Sequence, residues 1–209
     1  MSDSLLHAVV GTVLGIVLLR MWLQDLKSRS QVDRLSLPGT TPASLIACIS
    51  ASVGAIAIVL IISGVEYVTG IANQQSRIPF FYLLPMLGAA ITEEVIFRGY
   101  LVVRNRGRAM LIASAVFFSI LFAVIHPYLW SHSVADPKGF EWLSTLRLRL
   151  DTYSVVATAS IAILSLWYYY VRFSKQNPNR SLIPCFCAHA SANLTVFIIK
   201  LSSGYATTY

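Results

Sequence analysis

The sequence predicts an all-α polytopic membrane protein, one bundle of about six transmembrane helices with a polar site in its core. Three observations carry this prediction. Hydrophobic residues make up 56% of the 209 residues and charged residues only 12%, about half of the roughly 25% that soluble domains carry. Mean hydropathy is +0.67. The missing charge is concentrated in several runs of about twenty residues, the length that crosses the hydrocarbon core of a bilayer. A soluble fold would have to bury all these runs in one core, with too little polar surface to cover it.

The first run, roughly Ser4–Leu23, lacks the basic leader of a secretory signal, and its positive charge (Arg20, Lys27, Arg29, Arg34) follows it. It therefore reads as a retained span with the N-terminus outside the cytoplasm. Its Gly11 and Gly15 form a GxxxG that fits a helix-packing face; the simpler reading is that glycine is common in membrane helices. The second run is Ala43–Val65. The third, Pro79–Val103, carries Glu93, Glu94 and Arg98, and the fourth, Met110–Trp130, carries His126. Between the fourth and fifth runs, Phe140–Leu150 alternates Leu146, Leu148 and Leu150 with Arg147 and Arg149, a pattern that fits either an interfacial segment or a short extended piece. The fifth run, Tyr153–Val171, ends on Trp167, Tyr168, Tyr169 and Tyr170 ahead of Arg172, the composition of an interfacial aromatic belt. The sixth, Leu182–Leu201, holds Cys185, Cys187, His189 and Asn193. The chain thus reads as a single membrane domain, 1–209, with two spans in 1–78 and a catalytic core in 79–201.

The net charge of +7 would suggest nucleic acid in a soluble protein. Here the basic residues sit in short loops between apolar runs, so the implied partner is the lipid bilayer and not nucleic acid. With the N-terminus outside, the cytoplasmic side collects Arg20, Lys27, Arg29, Arg34, Arg104, Arg106, Arg108, Arg172, Lys175 and Arg180. The outer side holds Arg77, Lys138, Arg147 and Arg149, a bias of ten to four among the sixteen Lys and Arg. This places a multi-pass protein in the cell membrane. Cys48, Cys185 and Cys187 form neither a disulfide framework nor a zinc-finger spacing.

The polar residues inside the spans point to chemistry. An acidic side chain at mid-bilayer costs about 2.5–3.5 kcal/mol, and such residues face a bundle interior or a wet cavity. Glu94 and Arg98 are i and i+4 and can pair on one helix face. Glu93 is rotated by about 100° and is left over. A paired carboxylate beside a free one suits a general base with a supporting ion pair; the competing reading is one buried network that pins helices together. His189 and Asn193 are also i and i+4. Together with His126 on the fourth run, these spans bring the residue types needed for water activation and oxyanion binding. Counted from the outer ends, the groups spread over roughly 15 Å in depth at 1.5 Å per residue, a gap that tilt, a break at Pro127 or a displaced third segment could close. His7 and His132 are assigned no role.

EEVIFR (Glu93 to Arg98), FAVIH (Phe122 to His126) and HASAN (His189 to Asn193) match EExxxR, FxxxH and HxxxN in that order. With them the chain, over about Pro79 to Leu201, resembles the CPBP or Abi family of intramembrane proteases, which includes the type II CAAX prenyl endopeptidases. The resemblance implies that Glu93 and His126 activate a water and that His189 and Asn193 stabilise the oxyanion. Glu94 and Arg98 would support the base and Phe122 would pack. The substrate would be a membrane-associated protein or peptide. No cofactor is expected. The alternative is zinc held by Glu93, His126 and His189, with a fourth position for water; the metal-free form is preferred because His189 and Asn193 then serve as a pair of oxyanion donors. An ion-coupled transporter would also bury carboxylates and histidines, but no inverted repeat is visible. A silent scaffold would have no need to bury them.

Overall fold

The computed structural model describes residues 3–28, 36–134 and 140–207. Arg29, Arg34 and Lys138, used above to orient the chain, lie outside the described residues. Six helices are long and apolar enough to cross a membrane. The first two are α1 (Asp3–Lys27) and α2 (Leu45–Val68), the latter capped by Ser44, whose hydroxyl accepts from the Ala47 amide at 3.1 Å. The third span is composite. A short strand β1 (Ile78–Pro79) and a 3₁₀ turn (Phe80–Tyr82) lead into α3 (Leu83–Glu93), which continues as a π-helix over Glu94–Tyr100. The change of pitch falls between the two glutamates. Then come α4 (Gly107–Val124), β2 (Trp130–His132), the short α5 (Glu141–Ser144), β3 (Leu146–Leu148), α6 (Thr152–Phe173), α7 (Ile183–Ser202) and β4 (Ala206–Thr207).

The fourth span is shorter than expected. Proline lacks an amide donor and drives the preceding residue out of the helical region. Accordingly α4 stops at Val124, and His126 is extended (φ −72°, ψ 151°) ahead of a 3₁₀ turn at Pro127–Leu129. Trp130, drawn above as the end of this span, belongs to β2, which pairs antiparallel with β3. The alternating Leu146 and Leu148 are thus the short extended piece.

Close helix contacts set the bundle. Ala47, Ala51, Ala55 and Val59 form a buried stripe of small residues on α2, which lies along α7. Small residues let membrane helices approach until their backbones pack. Gly15 of α1 sits directly on Gly88 of α3, where a methyl group would fall 2.7 Å from the Gly88 carbonyl oxygen. The GxxxG is therefore a packing face and not a compositional accident. Trp22 of α1, also buried, stacks edge-on against Phe186 of α7 (5.2 Å) and donates to the Pro38 carbonyl.

Two further expectations change. Of the aromatic run, only Tyr170 is exposed; Tyr168 and Tyr169 are buried and the Trp167 indole donates to the Ala51 carbonyl. Arg172, expected in a loop, closes the last turn of α6 and is only 1% exposed. It lies beneath Gly39 (φ +68°), where any Cβ would meet the guanidinium at 2.7 Å. A cation at that position faces the negative end of the helix dipole.

Candidate active site

The site is built on the junction where α3 becomes the π-helix, a geometry that recurs at functional sites. The Leu101 amide donates to the Ile96 carbonyl, a five-residue step. Glu94 and Arg98 face inward from this segment and are wholly buried. Arg98 Nη1 lies 3.2 Å from Glu94 Oε1, an ion pair by distance though not aligned as a hydrogen bond. Arg98 Nη2 donates to the Ser165 hydroxyl (2.7 Å) and carbonyl (3.2 Å), and Ser165 in turn donates to Ser119 Oγ (3.0 Å). The guanidinium also lies 4.8 Å from the Phe122 ring centre and 5.0 Å from those of Tyr168 and Tyr169. This aromatic cage takes the place of water around the cation.

Glu94 serves a second group. His189 Nδ1 is 2.8 Å from Glu94 Oε1, so the ring donates there. His189 Nε2 then faces Glu93 Oε2 at 3.7 Å. The Tyr168 ring stacks on the imidazole (4.8 Å, 20°) and holds its plane. The Glu94 carboxylate is thus shared by Arg98 and His189. Glu93, the leftover carboxylate of the sequence reading, is 29% exposed in its side chain while Glu94 is sealed.

His126 reaches this centre through Phe122. The Phe122 ring is 4.6 Å from His126 and 6.4 Å from His189, each edge-on, and 4.8 Å from Phe97. His126 Nδ1 lies 2.6 Å from the Phe122 carbonyl, an acceptor, so Nδ1 carries the proton and Nε2 is left as the basic nitrogen. The break at Pro127 is what permits this. Asn193, one turn beyond His189, donates from Nδ2 to the Met86 carbonyl at 2.8 Å, which ties α7 to α3 and leaves its second N–H.

An ion pair and a hydrogen bond thus join Glu94 to Arg98 and to His189. Glu93 faces the same imidazole, His126 shares the Phe122 ring, and Asn193 sits on the same face of α7. Ser119, Ser165, Tyr168 and Tyr169 escaped the sequence reading. A signal was there: Ser165, Tyr168, Tyr169 and Arg172 recur at helical spacing on one face of α6, and all four are buried. Tyr169 Oη lies 2.8 Å from the Phe97 carbonyl and 2.9 Å from that of Leu101, buttressing the π-helix on both sides of Arg98.

No curated protein and no solved structure matches the chain. A family model does. It covers residues 75–195, more than half of the chain, and describes the type II CAAX prenyl endopeptidase Rce1-like family. All six polar site residues fall within it. The three motifs, their burial between membrane-spanning helices and this match place the chain in the Rce1-like family of type II CAAX prenyl endopeptidases, and hence among the intramembrane peptidases.

Proposed function

We propose that the protein hydrolyses a peptide bond of a membrane-associated protein or peptide, with Glu93 as general base. The observation that carries this reading is the division of labour between adjacent carboxylates. Glu94 is sealed and shared by Arg98 and His189, while Glu93 stays partly open and faces the imidazole edge. A water between Glu93 and His126 Nε2 would lose its proton to Glu93 as its oxygen attacks the scissile carbonyl. The tetrahedral oxyanion is then held by N–H donors of His189 and Asn193. With protons on both ring nitrogens, His189 donates to Glu94 through Nδ1 and to the oxyanion through Nε2. Glu94 keeps the ring in that orientation, as the carboxylate partner of a catalytic histidine does. Collapse of the intermediate returns the proton from Glu93 to the leaving amine.

Zinc held by Glu93, His126 and His189 is the competing reading. Among the described residues, no three His, Cys, Asp or Glu side chains converge as a metal-ligand set. The preference for a metal-free glutamate mechanism rests on the pairing of His189 with Asn193 as oxyanion donors.

The test compares membrane peptidomes of cells carrying the wild type, Glu93→Ala, His126→Ala and the double variant. Each single change abolishes cleavage while the protein still accumulates, and the double variant is no worse, since both groups act on one water. Substantial cleavage by either single variant removes the mechanism. Elemental analysis of active, monodisperse protein gives less than stoichiometric zinc; a full equivalent that disappears in His126→Ala and His189→Ala would make both histidines ligands.

A further inference from the structure

At the basic end of the bundle, beyond the Ser119–Ser165 hydrogen bond, α4 and α6 line a cleft of about 630 Å³. Its walls include Ile112 and Val116 of α4 and Leu166 and Tyr170 of α6, and its open end carries Arg108 and Lys175. All six side chains are exposed. The walls belong to the apolar outer surface of two membrane-spanning helices, so the cleft faces the acyl phase. Its two cations sit at the ends of those helices, at headgroup depth. Among the described residues neither makes an ion pair. Asp25, near the end of α1, accepts from the Leu37 amide.

We propose that this cleft binds an anionic diacyl phospholipid, with the phosphate between Arg108 and Lys175 and an acyl chain along Ile112, Val116 and Leu166. Charge complementarity selects the occupant. Two cations at the mouth of an apolar slot match one phosphodiester with a hydrocarbon tail, and basic pockets between membrane helices take anionic headgroups in this way. A zwitterionic lipid brings its own ammonium and gains less. The site also touches the catalytic segment: Tyr169 forms part of the cleft, and its hydroxyl bonds the carbonyls that flank Arg98. Lipid in the cleft therefore braces α6 against the π-helix. The proposal stands apart from the assignment of catalytic residues.

The experiment uses the full chain purified in a neutral detergent. Thermal stability and lipid retained in native mass spectra are measured with added phosphatidylglycerol or phosphatidylcholine. Phosphatidylglycerol stabilises more and is retained at one per chain. Arg108→Ala with Lys175→Ala weakens its retention by about tenfold or more, on the scale of two cation–lipid contacts, and leaves stability in detergent alone unchanged. Val116→Trp, which fills the slot and keeps both charges, loses retention as well. Arg104→Ala with Arg106→Ala, at the same end but outside the cleft, keeps the preference. Equal effects of the two lipids, or equal loss in the Arg104 and Arg106 variant, would mean diffuse attraction to a basic surface and would overturn the site.

Discussion

Burial separates the two adjacent carboxylates into different roles. Glu94 is fully enclosed and is faced by both Arg98 and His189; an unpaired ion at that depth costs several kcal/mol. Arg98 depends equally on Glu94, Ser165 and the rings around it. Removing one member of a buried pair leaves the other uncompensated, at a cost of about 3–5 kcal/mol. Arg98→Ala is therefore expected to lower the melting temperature in detergent and the amount of protein in membranes, as well as activity. Glu93→Ala, at a partly open position, removes activity and leaves the melting temperature within a few degrees. Equal stability of the two variants would show that Glu94 and Arg98 do not depend on each other. Arg98→Lys does not rescue, because an ammonium cannot reach Glu94 and Ser165 at once while lying flat among three rings.

Among the elements, the third span matters most, because its switch from α to π pitch aims the motif. Tyr169 supports that switch from the neighbouring helix, its one hydroxyl proton shared between the carbonyls of Phe97 and Leu101. Tyr169→Phe keeps the ring against Arg98 and removes only these bonds. It should cost about 1–3 kcal/mol for acceptors left without a donor. Turnover should fall with little change in KM, since Arg98 and Glu94 shift without touching substrate. Unchanged kcat with unchanged stability would mean that the π-helix needs no support from α6. The pitch change itself was not legible in the sequence. EEVIFR reads equally well as plain α-helix, and i, i+4 pairing of Glu94 with Arg98 follows from either. His126 is the reverse case, since Pro127 announces the break that frees it.

Across the whole molecule, three helix pairs (α1 with α3, α2 with α7, α4 with α6) enclose a polar centre within an apolar exterior. Large exposed side chains such as Val10, Ile16, Ile61, Val68 and Phe117 cover the outer faces, as a lipid-facing surface requires. The proposed orientation puts Lys27 and Arg106 on the cytoplasmic side and Arg147 outside, following the basic bias of the loops. Single cysteines at these positions, introduced into a chain lacking Cys48, Cys185 and Cys187, are expected to react with an impermeant reagent accordingly. Labelling of positions 106 and 147 from the same side would break the alternation of spans between them.

The number, order and approximate reach of the spans followed from the sequence because hydropathy over about twenty residues is a local property. The residue types of the site followed as well, because a charge is conspicuous in an apolar run. What only the tertiary structure decided is how the polar groups are shared. Glu94 bonds His189 from 95 positions away, Arg98 bonds Ser165 from 67 away, and Asn193 binds a backbone carbonyl on α3. Tyr168 and Arg172 looked like interfacial residues and are buried, because the composition of a helix end does not say whether another chain segment covers it. Such pairings depend on which helix faces which, and that is settled by contacts like Gly15 on Gly88, where two backbones meet and no side chain records the partner.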